Sequence, residues 1–285
     1  MVERSNGNIV PERVWFTDNT IRGSAGAQYR LGQFLVKGNN GTIYKCTSQN
    51  NRQLAVKFMH RLDKQRLARF EFETQVLADL SHPNLLACID AGEIETTGKE
   101  PVPYLITEIY TGTLQRSIDA YGPQTPANVK RSMRQICGAF SYLHGKGVIH
   151  RDVKPANFFT NGTSIVVGDL GLAKTSTDEG VARYYRDDIT LVNEFVGPIL
   201  WMSPELIAYQ KDKHTPVDHR SDIFQLGLLM WFLATGDIPC GVLDDEEDPS
   251  GGSILQIVRK ATKHKPDKRY ESVNAMLADV EKLPD

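Results

Sequence analysis

Long apolar runs are missing from this chain. The longest, Leu226–Ala234, is too short to cross a bilayer and reads as a buried helix. The opening residues, MVERSNGNIVPER, lack the apolar centre of a secretory leader. Cysteine is scarce: four in 285 residues (Cys46, Cys88, Cys137 and Cys240), with no C-x-x-C pair. That excludes a disulfide scaffold and a thiolate zinc cluster, and it points to a reducing, cytoplasmic setting. No sign of charge dominates, with 33 Lys and Arg against 35 Asp and Glu. Nucleic-acid binding by bulk positive charge is therefore not expected. There is no internal repeat and no heptad run. Hydrophobic residues at 40% and charged residues at 24% exclude disorder of the whole chain, and the length suits two domains or lobes.

What is present falls into a strand-rich first part and a helix-rich second part. Residues 1–28 are polar and read as an extension with little core of its own, which Val14, Trp15 and Phe16 would dock onto the body. From Tyr29 the pattern predicts strands over Tyr29–Val36 and Thr42–Cys46, joined by the turn Gly38-Asn39-Asn40-Gly41, then Gln53–Met59, Leu85–Ala91 and Tyr104–Ile109. An amphipathic helix is predicted over Arg61–Leu80, from Leu67, Phe70, Leu77 and Leu80. Beyond Gly112, helices are predicted over Ala127–His144, Pro204–Gln210, Ser221–Thr235, Ile254–Thr262 and Val273–Leu283. Short strands are expected at Val148–Ile149, Phe158–Phe159 and Ile165–Val167.

The strongest signal is His150-Arg151-Asp152-Val153-Lys154-Pro155-Ala156-Asn157. Twelve residues later comes Asp169-Leu170-Gly171; upstream lies Ala55-Val56-Lys57, and downstream Ser203-Pro204-Glu205. In order and distance this set resembles the catalytic loop, D-F-G, V-A-I-K and A-P-E landmarks of the eukaryotic-type (Hanks-type) Ser/Thr protein kinases, in phrasing most like bacterial members. The resemblance implies an α+β bilobal fold over residues 29–283. It comprises an N-lobe of antiparallel sheet plus one helix with the hinge, 29–110, and a larger, mainly helical C-lobe, 111–283. It implies an ATP- and Mg²⁺-dependent protein kinase, with Mn²⁺ as an alternative ion, that phosphorylates Ser/Thr hydroxyls of proteins and itself. The competing expectation is a pseudokinase acting as a nucleotide-binding scaffold.

Phosphoryl transfer gathers negative charge on the γ-phosphoryl oxygens, so the site must supply cations and align an attacking oxygen. Asn157 and Asp169 offer hard oxygen ligands suited to Mg²⁺. By resemblance, Asp152 accepts the substrate proton, Lys154 neutralises the γ-phosphate and Lys57 holds the α- and β-phosphates. Counting back nine residues from His82 in the Ser-His-Pro-Asn turn gives Glu73, where the resemblance places the helix glutamate that partners Lys57. Glu71 would face about 200° away round the helix. The adenine site implied has Ile43 and Ala55 as roof, Phe159 as floor, Thr107 as gatekeeper, and the backbone of Glu108 and Tyr110 at the adenine edge.

Several positions depart from the family. The glycine loop reads Val36-Lys37-Gly38-Asn39-Asn40-Gly41, so Gly38 and Gly41 remain while Val36 replaces the first glycine and is expected to weaken nucleotide binding. Pro198 stands where Ser/Thr kinases usually carry Thr; Lys154 nevertheless favours Ser/Thr specificity, with room for dual specificity. The 37 residues from Asp169 to Glu205 are long enough for a switch loop and hold Thr175, Ser176, Thr177, Tyr184, Tyr185 and Thr190. Arg151 and Lys174 match a basic pocket for a loop phosphate, and Glu194 would pair with Arg151 in its place. Asp222 is expected to tie the catalytic-loop backbone and Arg269 to pair with Glu205. Between Pro239 and Ile254, the acidic stretch 244–248 reads as a flexible loop; it and the N-terminal extension are the places where a regulatory partner would dock.

Overall fold

The computed structural model describes residues 2–5, 8–11, 19–24, 26–38, 41–59, 64–94, 101–175, 199–239 and 243–285. The chain divides into two compact units: Met1–Ser81 with Leu86–Ile109, and His82–Leu85 with Tyr110–Asp285.

In the first unit β1 (Val2–Ser5) and β2 (Asn8–Pro11) form a separate antiparallel hairpin. The main sheet contains β3 (Thr20–Arg22), β4 (Gln28–Lys37), β5 (Gly41–Ser48), β6 (Gln53–Met59), β7 (Cys88–Ile94) and β8 (Val102–Glu108). Its order is β3-β4-β5-β6-β8-β7, antiparallel throughout. Alternation along β6 sends Leu54, Val56 and Phe58 into one cluster with Ile21, Tyr29, Cys46, Val102, Tyr104 and Ile106. Each such side chain gains about 1.5–3 kcal/mol by leaving water. The alternate residues Ala55, Lys57 and Met59 take the other face, and Lys57 there bonds to α1 (Lys64–Asp79).

The sheet begins at Thr20 rather than Tyr29. Ile21 is only 1% exposed, so this part of the polar N-terminal stretch carries a core residue. After β3 the chain turns back, and Ser24 N–H donates to Ala91 O of β7 at 3.0 Å, so the first strand's turn reaches the last strand. The buried Asp90 carboxylate fastens this turn, accepting from Ser24 N (3.0 Å), Ser24 Oγ (2.9 Å) and the Tyr29 hydroxyl (2.9 Å). Burial, then Asp90, pushes the Tyr29 phenol up to about 12. Val14, Trp15 and Phe16 lie outside the described residues.

The second unit holds α2 (Leu114–Tyr121), α3 (Pro126–Gly145), α4 (Pro204–Lys211), α5 (Arg220–Thr235), α6 (Ser253–Ala261) and α7 (Val273–Val280). Thr113, Thr125, Ser203 and Ser272 accept from the first-turn N–H groups of α2, α3, α4 and α7. α5 is buried on nearly every side, as its run of apolar residues predicts, and Gly236 closes it with φ 83°. Short strands complete the unit: β9 (Gly112–Thr113), β10 (Val148–Ile149), β11 (Phe158–Asn161), β12 (Ser164–Val167) and β13 (Lys174–Thr175). Among the described residues no helix is long and apolar enough to cross a membrane.

Two expectations need correction. The strand expected from Leu85 starts at Cys88, because Leu85 pairs instead with Val167 in the second unit. The stretch 244–248 is not a free acidic loop. Asp244 caps a short 3₁₀ turn, Asp245 pairs with Arg259, and the buried Asp248 accepts from Ser250 N, Ser250 Oγ and Leu255 N at 2.8, 2.6 and 2.7 Å. Its negative charge is partly spent on the α6 N-terminus. Glu246 and Glu247 remain exposed.

Candidate active site

The expected site residues fall into two groups, one in each unit. In the first unit Lys57 Nζ lies 3.1 Å from Glu73 Oε2 and 3.5 Å from Oε1. Glu73 is buried, whereas Glu71 is exposed, as the helical angle between them requires. β6 delivers Lys57 and α1 delivers Glu73, so the ammonium is held at one place on the sheet. Ala55 pairs with Thr107 across β6 and β8, and Ile43 pairs with Lys57 and Val36. Thr107 Oγ1 donates to Glu108 O at 3.0 Å, and the Glu108 side chain is bound by Arg52. Gly38 N–H donates to Gly41 O at 2.9 Å, closing the turn. A Cβ on Gly41 would stand 2.5 Å from Phe58 O, so this glycine is demanded by the sheet itself. Asn39 and Asn40 lie outside the described residues.

In the second unit Asp152 Oδ2 accepts from Lys154 Nζ at 2.7 Å and from Asn157 Nδ2 at 2.9 Å; Asn157 Nδ2 also reaches Asp152 O at 2.8 Å. The Asn157 amide nitrogen is thereby committed, which leaves Oδ1 as the acceptor end of the carboxamide. β11 and β12 pair Phe158 with Val167, and Gly168 N–H donates to Asn157 O at 3.0 Å. The hairpin therefore brings Asn157 and Asp169 to the same end. Asp169 has φ 58°, and its carboxylate makes no cap bond to the turn that follows. A carboxamide oxygen and a carboxylate are hard donors that fit Mg²⁺. Phe159 stacks on Tyr110 with centroids 5.7 Å apart.

The loop is fixed from behind. The fully buried Asp222 accepts from His150 N (2.9 Å), Arg151 N (2.8 Å) and His144 Nε2 (2.8 Å). Burial raises the Asp222 pKa, but the His144 bond and the neighbouring donors outweigh it and hold the group ionised below its usual value. His150 Nδ1 accepts from Asp152 N–H, so Nε2 carries the proton toward Gly168 O at 3.2 Å. Gln225 joins Val153 N to Trp201 O. Lower in the unit, Arg269 grips Glu205 with two bonds of 2.6 and 2.7 Å and also donates to three backbone carbonyls.

Two features escape a reading of motifs. Asn84, in the turn that locates Glu73, bonds Ile165 O and Gln135 Oε1, and His82 stacks on Tyr142; these residues belong to the second unit despite their place in the chain. His144 reads as a helix end, yet it is a partner of Asp222. Ser176, Thr177, Tyr184, Tyr185, Thr190, Glu194 and Pro198 lie outside the described residues, as do the side chains of Lys174 and Thr175. Among the described residues, no three His, Cys, Asp or Glu side chains are grouped to hold a metal on their own.

The family model for the protein kinase domain matches residues 29–282. The serine/threonine-protein kinase PknB of Mycobacterium tuberculosis is 31% identical over 277 residues, covering 89% of this chain and 42% of its own. A Streptomyces coelicolor protein named a probable serine/threonine-protein kinase is 31% identical over 280 residues, covering 90% and 40%. A similarly named protein of Corynebacterium efficiens is 29% identical over 283 residues, covering 90% and 41%. The chain thus spans about two-fifths of the length of the curated relatives it matches.

Proposed function

The chain belongs to the protein kinase domain family, and on that premise we propose that it transfers the γ-phosphate of ATP to Ser/Thr hydroxyls of proteins, itself included. The observation that carries this is the Asp152–Lys154–Asn157 cluster, bonded at 2.7 and 2.9 Å and joined by one hairpin to Asp169. The Asp152 carboxylate orients the attacking hydroxyl and takes up its proton. Lys154, beside it, offsets the negative charge of the transferring group. Lys57, fixed by Glu73, grips the non-transferring phosphates. Asn157 and Asp169 would hold Mg²⁺, which would supply positive charge at the phosphate oxygens. Ile43, Ala55, Thr107 and the Glu108 backbone are the first unit's candidates for adenine recognition; the second unit, taken by itself, offers Tyr110 and Phe159.

Lys154 beside Asp152 supports Ser/Thr specificity. The pseudokinase reading, drawn from Val36 and Pro198, has less support, because the Lys57–Glu73 pair is formed and the Asp152 cluster is complete. The free thiols of Cys46, Cys88 and Cys137 support action in the reducing cytoplasm. Incubation with Mg·ATP followed by phosphosite mass spectrometry tests the proposal. Phosphoserine or phosphothreonine should accumulate on the chain. Nucleotide binding with no phosphorylated residue on this chain or an added protein would favour the scaffold.

A further inference from the structure

Away from the phosphotransfer residues, α6 and α7 border an open cavity of about 370 Å³ within the second unit. Ligand sites usually measure about 300–1,000 Å³. Its floor is apolar: Ile257, Tyr270 and Leu283 line it and are 5%, 2% and 3% exposed. Gln256 and Lys260, exposed and about one turn apart on α6, stand at its rim.

The one carboxylate in the cavity is already occupied. Asp279 Oδ2 accepts from the Tyr270 hydroxyl at 2.9 Å, and Oδ1 accepts from Lys282 Nζ at 2.6 Å. Lys260 Nζ stays 3.8 Å from Asp279 and lies over the Tyr270 ring, 4.0 Å from the centroid. Its ammonium therefore reaches no hydrogen-bond acceptor among the described residues. The loop that joins Lys260 to Tyr270 adds Lys263, Lys265 and Lys268, all exposed, against one acid, Asp267, which lies 3.7 Å from Lys268. Arg269 holds this loop from inside, donating to Lys263 O at 2.7 Å and His264 O at 3.0 Å. Both ends of the loop line the cavity, so an apolar recess adjoins a fixed basic loop.

The two features select a ligand only together. Exposed lysines alone attract any polyanion, and an apolar recess alone is indifferent to charge. A peptide segment with carboxylates on either side of a large apolar side chain satisfies both. We propose that the cavity and the 260–268 loop form a docking site for an acidic segment of a partner protein. Its apolar side chain rests on Ile257, Tyr270 and Leu283, and its carboxylates meet Lys260, Lys263 and Lys265. Nucleic acid or an anionic membrane would use the lysines and leave the recess empty. Docking needs no nucleotide, so the proposal stands or falls separately from the phosphotransfer activity.

Fluorescence anisotropy tests it on the full chain with two probes, fluorescein-labelled Glu-Glu-Phe-Glu-Glu-amide and its counterpart with Gly in place of Phe. The wild type should bind the Phe peptide at least about tenfold more tightly, the return for burying one aromatic side chain. Gln256→Trp, which fills the mouth of the cavity, should erase that preference. Lys260→Glu should weaken both peptides by about fivefold, the upper range of one exposed charge contact. Both substituted side chains are exposed, so neither removes core packing. Equal affinity of the wild type for the two peptides, no binding of either, a Phe preference that survives Gln256→Trp, or wild-type affinity in Lys260→Glu would overturn the proposal. Oligothymidylate or phosphatidylserine vesicles binding more tightly than the Phe peptide, and equally to wild type and Gln256→Trp, would also overturn it and make the loop a general polyanion patch.

Discussion

Arg151 stands in the left-handed backbone region with φ 65°, and Asp222 Oδ1 holds its N–H at 2.8 Å. A non-glycine residue resists that conformation, and the buried carboxylate 71 residues further along keeps it there. The same carboxylate holds the N–H of His150, so two consecutive peptide groups of the catalytic loop hang on one side chain.

Asp222→Ala should therefore cost about 3–5 kcal/mol, because two backbone donors and His144 lose their acceptor in a dry interior. Urea unfolding measures it. The sign with pH follows from the depressed pKa of Asp222. Its contribution is present above the unfolded carboxylate value, near 4, and fades as pH falls through the lower folded value. Asp222→Asn should show a shallower loss of stability on that acid side.

Lys57→Met and Glu73→Gln test the first-unit pair. Lys57→Met should slow phosphotransfer by on the order of 10²–10³, the usual cost of one charge contact to the transition state. Glu73→Gln should cost less, because Lys57 keeps its charge and loses only its anchor. The double variant should be no slower than Lys57→Met, since Glu73 acts through Lys57. Initial rates with saturating Mg·ATP read all three.

Gly23→Ala tests the turn that fastens β3. A Cβ there would stand 1.7 Å from Asp90 Oδ2, so the carboxylate must leave Ser24 and Tyr29. The expected cost is about 1–3 kcal/mol. Gly26→Ala, where nothing stands within 4 Å but φ is +81°, should cost less, about 1 kcal/mol of backbone strain. Equal midpoints for Gly23→Ala and the wild type in denaturant would contradict the role given to Asp90.

What could be read from the sequence follows from the range of each interaction. The loop from His150 to Asn157 was legible because its chemistry needs several residues in fixed local order. Glu73 was legible because the family resemblance fixes its spacing from the Ser-His-Pro-Asn turn, and the constant angle of a helix turns Glu71 away from it. The α5 run was legible because a helix buried on all sides leaves no polar face. Ile21 was hidden in a polar stretch, since one core residue in a three-residue strand leaves no period to detect. The internal use of Asp248 was equally hidden: acidic residues in a row look solvated until the helix they cap is placed beside them.

The rate of γ-phosphate transfer by Asp152→Asn, measured beside the wild type at saturating Mg·ATP with nucleotide affinity determined on both, tests the central claim most directly. The account predicts transfer to Ser/Thr slowed by on the order of 10²–10³, with nucleotide still bound. Transfer at the wild-type rate by this variant, or no transfer by a wild type saturated with Mg·ATP, would contradict it.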